Sequence, residues 1–285
     1  MNKKIILSVS GILAIILLFW LGKTTEPKKE AAMPKPAVEA KSFDIQLFIN
    51  AETEKLPLSA RNRNKSLLDS LQFSKDLTSK IKLNSALADF WKDYARQADI
   101  YAFYLSEASK LENSEKNLTF AAQIFLSELR HENDEAKLAW KSEMAIALFE
   151  QAIKLNPNND TLRIGLGSSY VFGRGRSGDP QQTMKGIQEL LGVVRRDSTN
   201  WEAQLVLGIG GYISGQYDKA ILRLKKVAEN QPQNLEAVAF LADAYAASGD
   251  ANSAIDWYEK SKKIANDAGY TKEVDNRIKL LRQRK

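Results

Sequence analysis

One spacing of small, large and chain-breaking residues recurs through the second half of this chain. It reads Ala145-x3-Phe149-x2-Ala152-x4-Pro157 and again Ala220-x3-Leu224-x2-Val227-x4-Pro232. Looser copies run Ala254-x3-Tyr258-x2-Ser261-x4-Asn266 and Gly186-x3-Leu190-x2-Val193-x4-Ser198. Ser198, Pro232 and Asn266 stand 34 residues apart. The i, i+4, i+7 spacing puts the small and large residues on one helical face, and the proline stops that helix. A second frame precedes each copy: Leu166-Gly167-x2-Tyr170, Leu207-Gly208 and Leu241-Ala242-x2-Tyr245. Gly215 and Gly249 follow the small residue of that frame by seven positions and predict the turn between two helices. A small residue on one helix facing a large one on the next lets antiparallel helices approach closely. Each pair is then left with an apolar face that only a stacked neighbour can bury.

This double frame resembles the tetratricopeptide repeat, strongly over residues 140–268 and more weakly back to about residue 82, through Ala121, Ala122 and Tyr101-x3-Leu105-x2-Ala108. The resemblance implies an all-α fold, a right-handed α-solenoid of antiparallel helix pairs. About five pairs are expected over 82–268, an irregular helical cap over 42–81, and a capping helix over 269–285. Two units exceed the period. One carries about ten extra residues, including His131-Glu132-Asn133-Asp134-Glu135; the other carries seven, within Phe172-Gly173-Arg174-Gly175-Arg176-Ser177-Gly178-Asp179-Pro180. Both read as loops between paired helices, where added length costs least entropy.

The front of the chain has a different character. Residues 5–22, IILSVSGILAIILLFWLG, contain no charge. At about 1.5 Å per residue they span roughly 27 Å, which suits a single-pass transmembrane helix. No A-x-A cleavage pattern follows, so residues 1–22 read as an uncleaved signal anchor. Residues 23–41 are rich in Pro, Lys, Glu and Ala and read as an extended spacer. Lys3 and Lys4 favour a cytoplasmic N-terminus in a bacterial inner membrane, which places the bulk of the chain on the periplasmic side, although Lys23, Lys28 and Lys29 oppose them.

Several chemistries are excluded. The chain has no cysteine, so it holds no disulfide, thiol nucleophile or acylated-Cys anchor. His131 is the single histidine, so no multi-histidine metal site exists. Its neighbours Glu132, Asp134 and Glu135 read as a solvated loop. Gly173-x-Gly175-x-x-Gly178 matches the dinucleotide fingerprint, but a helix precedes it where a strand is required. The net charge of +6 is spread among interspersed Lys and Glu and forms no basic stripe, so no nucleic-acid partner is expected. No enzyme, cofactor or metal is read here.

What remains is binding. In the family it resembles, the first helix of each pair lines a concave groove that takes peptides. Carried onto this chain, the groove comprises Ile164, Ser168, Val171 and Phe172, then Leu205, Ile209, Tyr212 and Ile213, then Ala239, Asp243 and Ala246. The Lys, Asn and Arg set of carboxylate-clamp members is missing, so an apolar helix or extended apolar segment is the expected ligand. Arg174 and Arg176 read as a basic loop able to meet an acidic partner or phospholipid headgroups. The chain is thus expected to be a membrane-tethered scaffold for a protein or peptide partner. Family precedent adds cytochrome c maturation and envelope or cell-division assembly, and self-association into a homo-oligomer is the structural alternative.

Overall fold

The computed structural model describes residues 42–283, and all regular structure in that range is helical. The expected anchor (1–22) and spacer (23–41) lie outside the described residues. Among the described residues no helix is long and apolar enough to cross a membrane.

The helices are α1 (Ile45–Glu54), α2 (Leu58–Phe73), α3 (Leu77–Asp89), α4 (Ala98–Glu112), α5 (Glu115–Leu129), α6 (Glu135–Leu155) and α7 (Asp160–Tyr170). They continue as α8 (Pro180–Arg196), α9 (Trp201–Ile213), α10 (Tyr217–Asn230), α11 (Leu235–Ser248), α12 (Ala251–Ala265) and α13 (Ala268–Gln283). Short π-helical segments, Phe90–Tyr94 and Val171–Gly175, extend α3 and α7. From α3 onward the helices pack as consecutive pairs, α3 with α4 through α11 with α12, and each pair stacks on the next. α13 closes the last pair by burying Val274, Ile278 and Leu281 against Ala242, Ala254 and Tyr258.

The turns are written in short polar residues. Asp44, Asp76, Ser114, Asp134, Asn159, Asp179, Asn200, Asn234 and Asp250 each cap a helix by accepting hydrogen bonds from its first free backbone N–H groups. Pro180 follows its cap at the first helical turn, where its missing N–H is not needed. At the other ends, Gly249 and Asn266 adopt left-handed backbone, at φ of 93° and 46°. Asn266 thereby stops α12 at the place where Pro232 stands one unit earlier.

The small-against-large code works as close approach. A Cβ on Gly208 would lie 2.6 Å from Leu224 Cγ, and one on Gly167 would lie 2.6 Å from Leu190 Cγ. Ala145, Phe149, Ala220, Leu224 and Ala254 are fully buried.

Two expectations about the over-long units need correcting. The extra residues near His131 do not form a long loop: Arg130–Asp134 is a short turn, and most of the added length goes into α6, which runs for 21 residues. The stretch after Phe172 is not a loose hairpin tip either. Val171–Gly175 continues α7 as a π turn, and Val171, Phe172, Gly173 and Gly175 are buried. A Cβ on Gly173 would strike Ser142, and one on Gly175 would lie 2.7 Å from Thr183 Oγ1. The glycines of the fingerprint-like motif therefore serve packing. Gly178, with φ of 89° and open space around it, serves the turn.

Two glycines of α8 separate packing from propensity. A Cβ on Gly186 would lie 2.6 Å from the backbone oxygen of Gly167, so Gly186→Ala should cost about 1–3 kcal/mol by overpacking. The nearest atom to a Cβ on Gly192 is a flexible arginine nitrogen at 3.9 Å, so Gly192→Ala should gain about 0.5–1 kcal/mol. Urea unfolding of the two variants should shift in opposite directions.

Candidate functional site: the row of first helices

The groove residues occupy one row. Ile209, Asp243 and Arg277 fall at successive 34-residue steps on α9, α11 and α13, and Ser168 holds the matching place on α7. The row does not present a uniform surface. Ile164, Ser168, Val171, Phe172, Leu205 and Ile209 are buried, whereas Tyr212, Ile213, Ala239, Asp243 and Ala246 are half-buried. The first set is thus interior, a correction to the groove expected there. Ile164, Val171, Phe172, Leu205 and Ile209 share one apolar cluster with Leu129 of α5 and with Ala237 and Val238 of α11.

The closure has visible causes. The Arg130 guanidinium, at the end of α5, lies 4.1 Å from the centre of the Phe172 ring. The same guanidinium pairs with Glu236 in the first turn of α11, 106 residues away. Arg176 donates to the carbonyls of Leu129 at 2.8 Å and Arg130 at 2.7 Å, and also to that of Glu132. Arg174 pairs with Glu143 on α6. The two arginines expected to form a free basic loop are therefore both committed to the protein itself. Arg176 satisfies carbonyls that the end of α5 would otherwise leave unpaired.

Near this turn, the carboxylates around His131 are also occupied structurally. Asp134 caps α6, and Glu132 accepts from the backbone N–H of Asn133 and Asp134. Lys141, with its side chain 5% exposed, is held at 2.8 Å by both Glu132 and Asp99. Lys137 reaches Asp99 from the same helix and lies 4.5 Å from the Phe48 ring centre of α1. Phe43 packs on Trp140, with ring centres 5.0 Å apart. This ion cluster and the aromatic contacts dock the N-terminal helix against α4 and α6.

The half-open part of the row lies at the C-terminal end. Tyr212 meets Phe240 edge to face at 5.8 Å and Tyr217 at 6.1 Å. Ile213 and Ala239, half-buried, adjoin Tyr212 and Phe240 in sequence. Beyond stands a charged border: Asp243 accepts from Arg277 at 2.9 Å and from the Tyr258 hydroxyl, and Arg277 also reaches Glu273 at 2.6 Å. Burial, then the Asp243 charge, raises the Tyr212 hydroxyl above the usual phenol value, so it stays protonated and able to donate. Burial and the hydrogen bond to Asp243 push Tyr258 up in the same way. The arrangement offers an apolar aromatic strip beside a neutralised carboxylate–guanidinium pair. It pairs no nucleophile with a base. Arg277 and Phe240 were not among the expected groove residues, yet Arg277 is Asp243 carried forward by one more period.

Stacked helix pairs with a first-helix row define a helical-repeat protein. Residues 212–272 match a tetratricopeptide-repeat model, and residues 141–159 match a second model of the same repeat. These matches and the fold support the tetratricopeptide-repeat resemblance. Among solved structures, a thermophilic tetratricopeptide-repeat protein of Thermus thermophilus is similar at 16% identity and a TM-score of 0.51, over 70% of this chain and 98% of that one. MamA from Desulfovibrio magneticus is similar at 18% and 0.48, over 66% and 96%. YrrB, a tetratricopeptide-repeat protein with an unusual peptide-binding site, is similar at 16% and 0.45, over 71% and 98%. At such identities the likeness is one of fold. No curated protein matches the chain significantly.

The Lys141 cluster has a definite pH signature. Burial alone would raise the Asp99 and Glu132 carboxyls, but their hydrogen bonds from Lys141, and from Lys137 to Asp99, hold both below the usual carboxylate range. Burial would lower Lys141, yet its two carboxylate partners hold it above the ordinary lysine value. The carboxylates therefore contribute stability at neutral pH that fades as the pH falls through about 4 and below. The lysine's share is full at neutral pH and is lost only as the pH rises past its raised folded value. Lys141→Met should cost roughly 3 kcal/mol at pH 7, by leaving Glu132 without its close cation and Asp99 with Lys137 alone. It should also flatten the acid-side loss of stability in urea titrations run from pH 6 to 2; an unchanged slope would remove the cluster from the account of acid sensitivity.

Proposed function

We propose that this chain is a non-catalytic scaffold that holds an apolar segment of another protein on the half-open strip formed by Tyr212, Ile213, Ala239 and Phe240. The observation that carries this reading is the aromatic strip itself. Tyr212 and Phe240 stand half-exposed on consecutive first helices, with Asp243 and Arg277 fixed along one border. Large aromatic side chains with a polar tip supply much of the contact energy at protein interfaces. The border pair is already neutralised, which favours a partner whose contact face is apolar rather than a charged tail. The tetratricopeptide repeats at 141–159 and 212–272 support a protein-interaction role.

The proposal includes a place for the chain. Residues 5–22 anchor it in a bacterial inner membrane, and residues 23–41 hold the repeats away from the bilayer on the periplasmic side. The support for the anchor is the length of the uncharged run, and for the orientation it is Lys3 and Lys4, with Lys23, Lys28 and Lys29 on the other flank opposing them.

Tyr212→Glu introduces a charge into the strip at a half-buried position. It should abolish recovery of crosslinked partners from cells while leaving far-UV helicity intact, and undiminished recovery would overturn the assignment of the strip. A reporter active on only one side of the membrane, fused after Lys285, should be active on the periplasmic side; activity on the cytoplasmic side would refute the orientation.

A further inference from the structure

We propose that the insertion after α7 is a plug and Arg130 its latch, and that together they hold the concave face of the array in a closed state able to open. This goes beyond the partner reading, because it concerns what the protein does with its own groove.

The repeat code needs no residues between Tyr170 and the second helix beyond a short turn, yet this unit carries seven more. They are spent inward. Phe172 is 4% exposed and sits in the cluster that contains Leu205 and Ile209, two residues the repeat register assigns to the concave row. Arg176 ties the same segment to the backbone of Leu129, Arg130 and Glu132. With that turn fixed, Arg130 covers the Phe172 ring and reaches Glu236, three units further along. Among the described residues, every other ion pair between different helices in the repeats joins helices of the same or adjoining units; this one crosses the face.

The parts differ in strength. The Phe172 contacts are apolar and interior, whereas the Arg130 and Glu236 side chains are 36% and 30% exposed. A pair so placed contributes little on its own and is screened by salt. It is a latch on the plug, released at small cost. Behind it lies the apolar row Ile164, Phe172, Leu205 and Ile209. Gly173, whose ψ of −119° breaks the helical path, is the residue at which the plug leaves the direction of α7.

The chain has no cysteine, so two can be placed at will. Exposed Gln123 on α5 and Ala247 on α11 lie on the two helices the latch joins. Nitroxides at Gln123→Cys and Ala247→Cys in the full-length chain report that separation by pulsed electron spin resonance. Arg130→Glu should move the distance distribution outward. The charge-reversed pair Arg130→Glu with Glu236→Arg should return most of it. High salt should act like the single variant in the unmutated latch and have no further effect once the latch is lost. A distribution unmoved by Arg130→Glu, in protein of unchanged helicity, overturns the proposal. So does an outward shift that the reversed pair fails to recover.

Discussion

Everything in this fold depends on a distance: how near two helices can come when one of them offers no side chain. Gly167 against Leu190 and Gly208 against Leu224 leave no room for even a methyl group. That proximity lets the large residue of one helix seat on the backbone of the other, at the density of a protein interior. Because the same match returns in each unit, 41 residues on from Gly167 to Gly208 and 34 from Gly208 to Ala242, each unit leaves a face of the same kind, and stacking follows from the need to cover it. The caps only mark where each helix begins. They decide the lengths of the segments and leave the geometry of approach to the small residues.

The insertion changes what that stack encloses. Val171 and Phe172 are turned into the apolar interior that the first helices share. The glycines at 173 and 175 show how the chain manages the turn. Each lies so close to a neighbouring helix, at Ser142 and Thr183, that a side chain would not fit. What resembles a phosphate-binding loop is a sharp bend between close-packed helices. The part of the row left accessible is the part the plug does not reach, around Tyr212 and Phe240.

The sequence was most legible where the physics is local. The period, the helix-stopping prolines and the turn glycines depend on neighbours within a few residues, and they place the pairs from α5 to α12. Asp243 was legible as a position of the first-helix row, and Arg277 could have been reached by stepping forward once more; the capping helix hid it because its outer face is so polar. Phe172 and the arginines around it misled for a physical reason. Glycine, arginine and serine in a run describe a solvated loop when read alone, and only contact with Leu129, 47 residues earlier, shows that Arg176 points inward. The Arg130–Glu236 contact has no local signature. Nor does the docking of α1, since Phe43 meets Trp140 across nearly a hundred residues of chain.

Arrays of stacked pairs ordinarily melt piecemeal, because each unit touches only its neighbours and stability is close to a sum along a line. The bridge from Arg130 to Glu236 joins residues 106 positions apart and turns part of that line into a loop. The tie itself is weak, but the same helices share one buried apolar cluster that runs from Leu129 to Val238. That shared cluster sets the stretch from α5 to α11 to come apart together, with the pairs outside it free to loosen first.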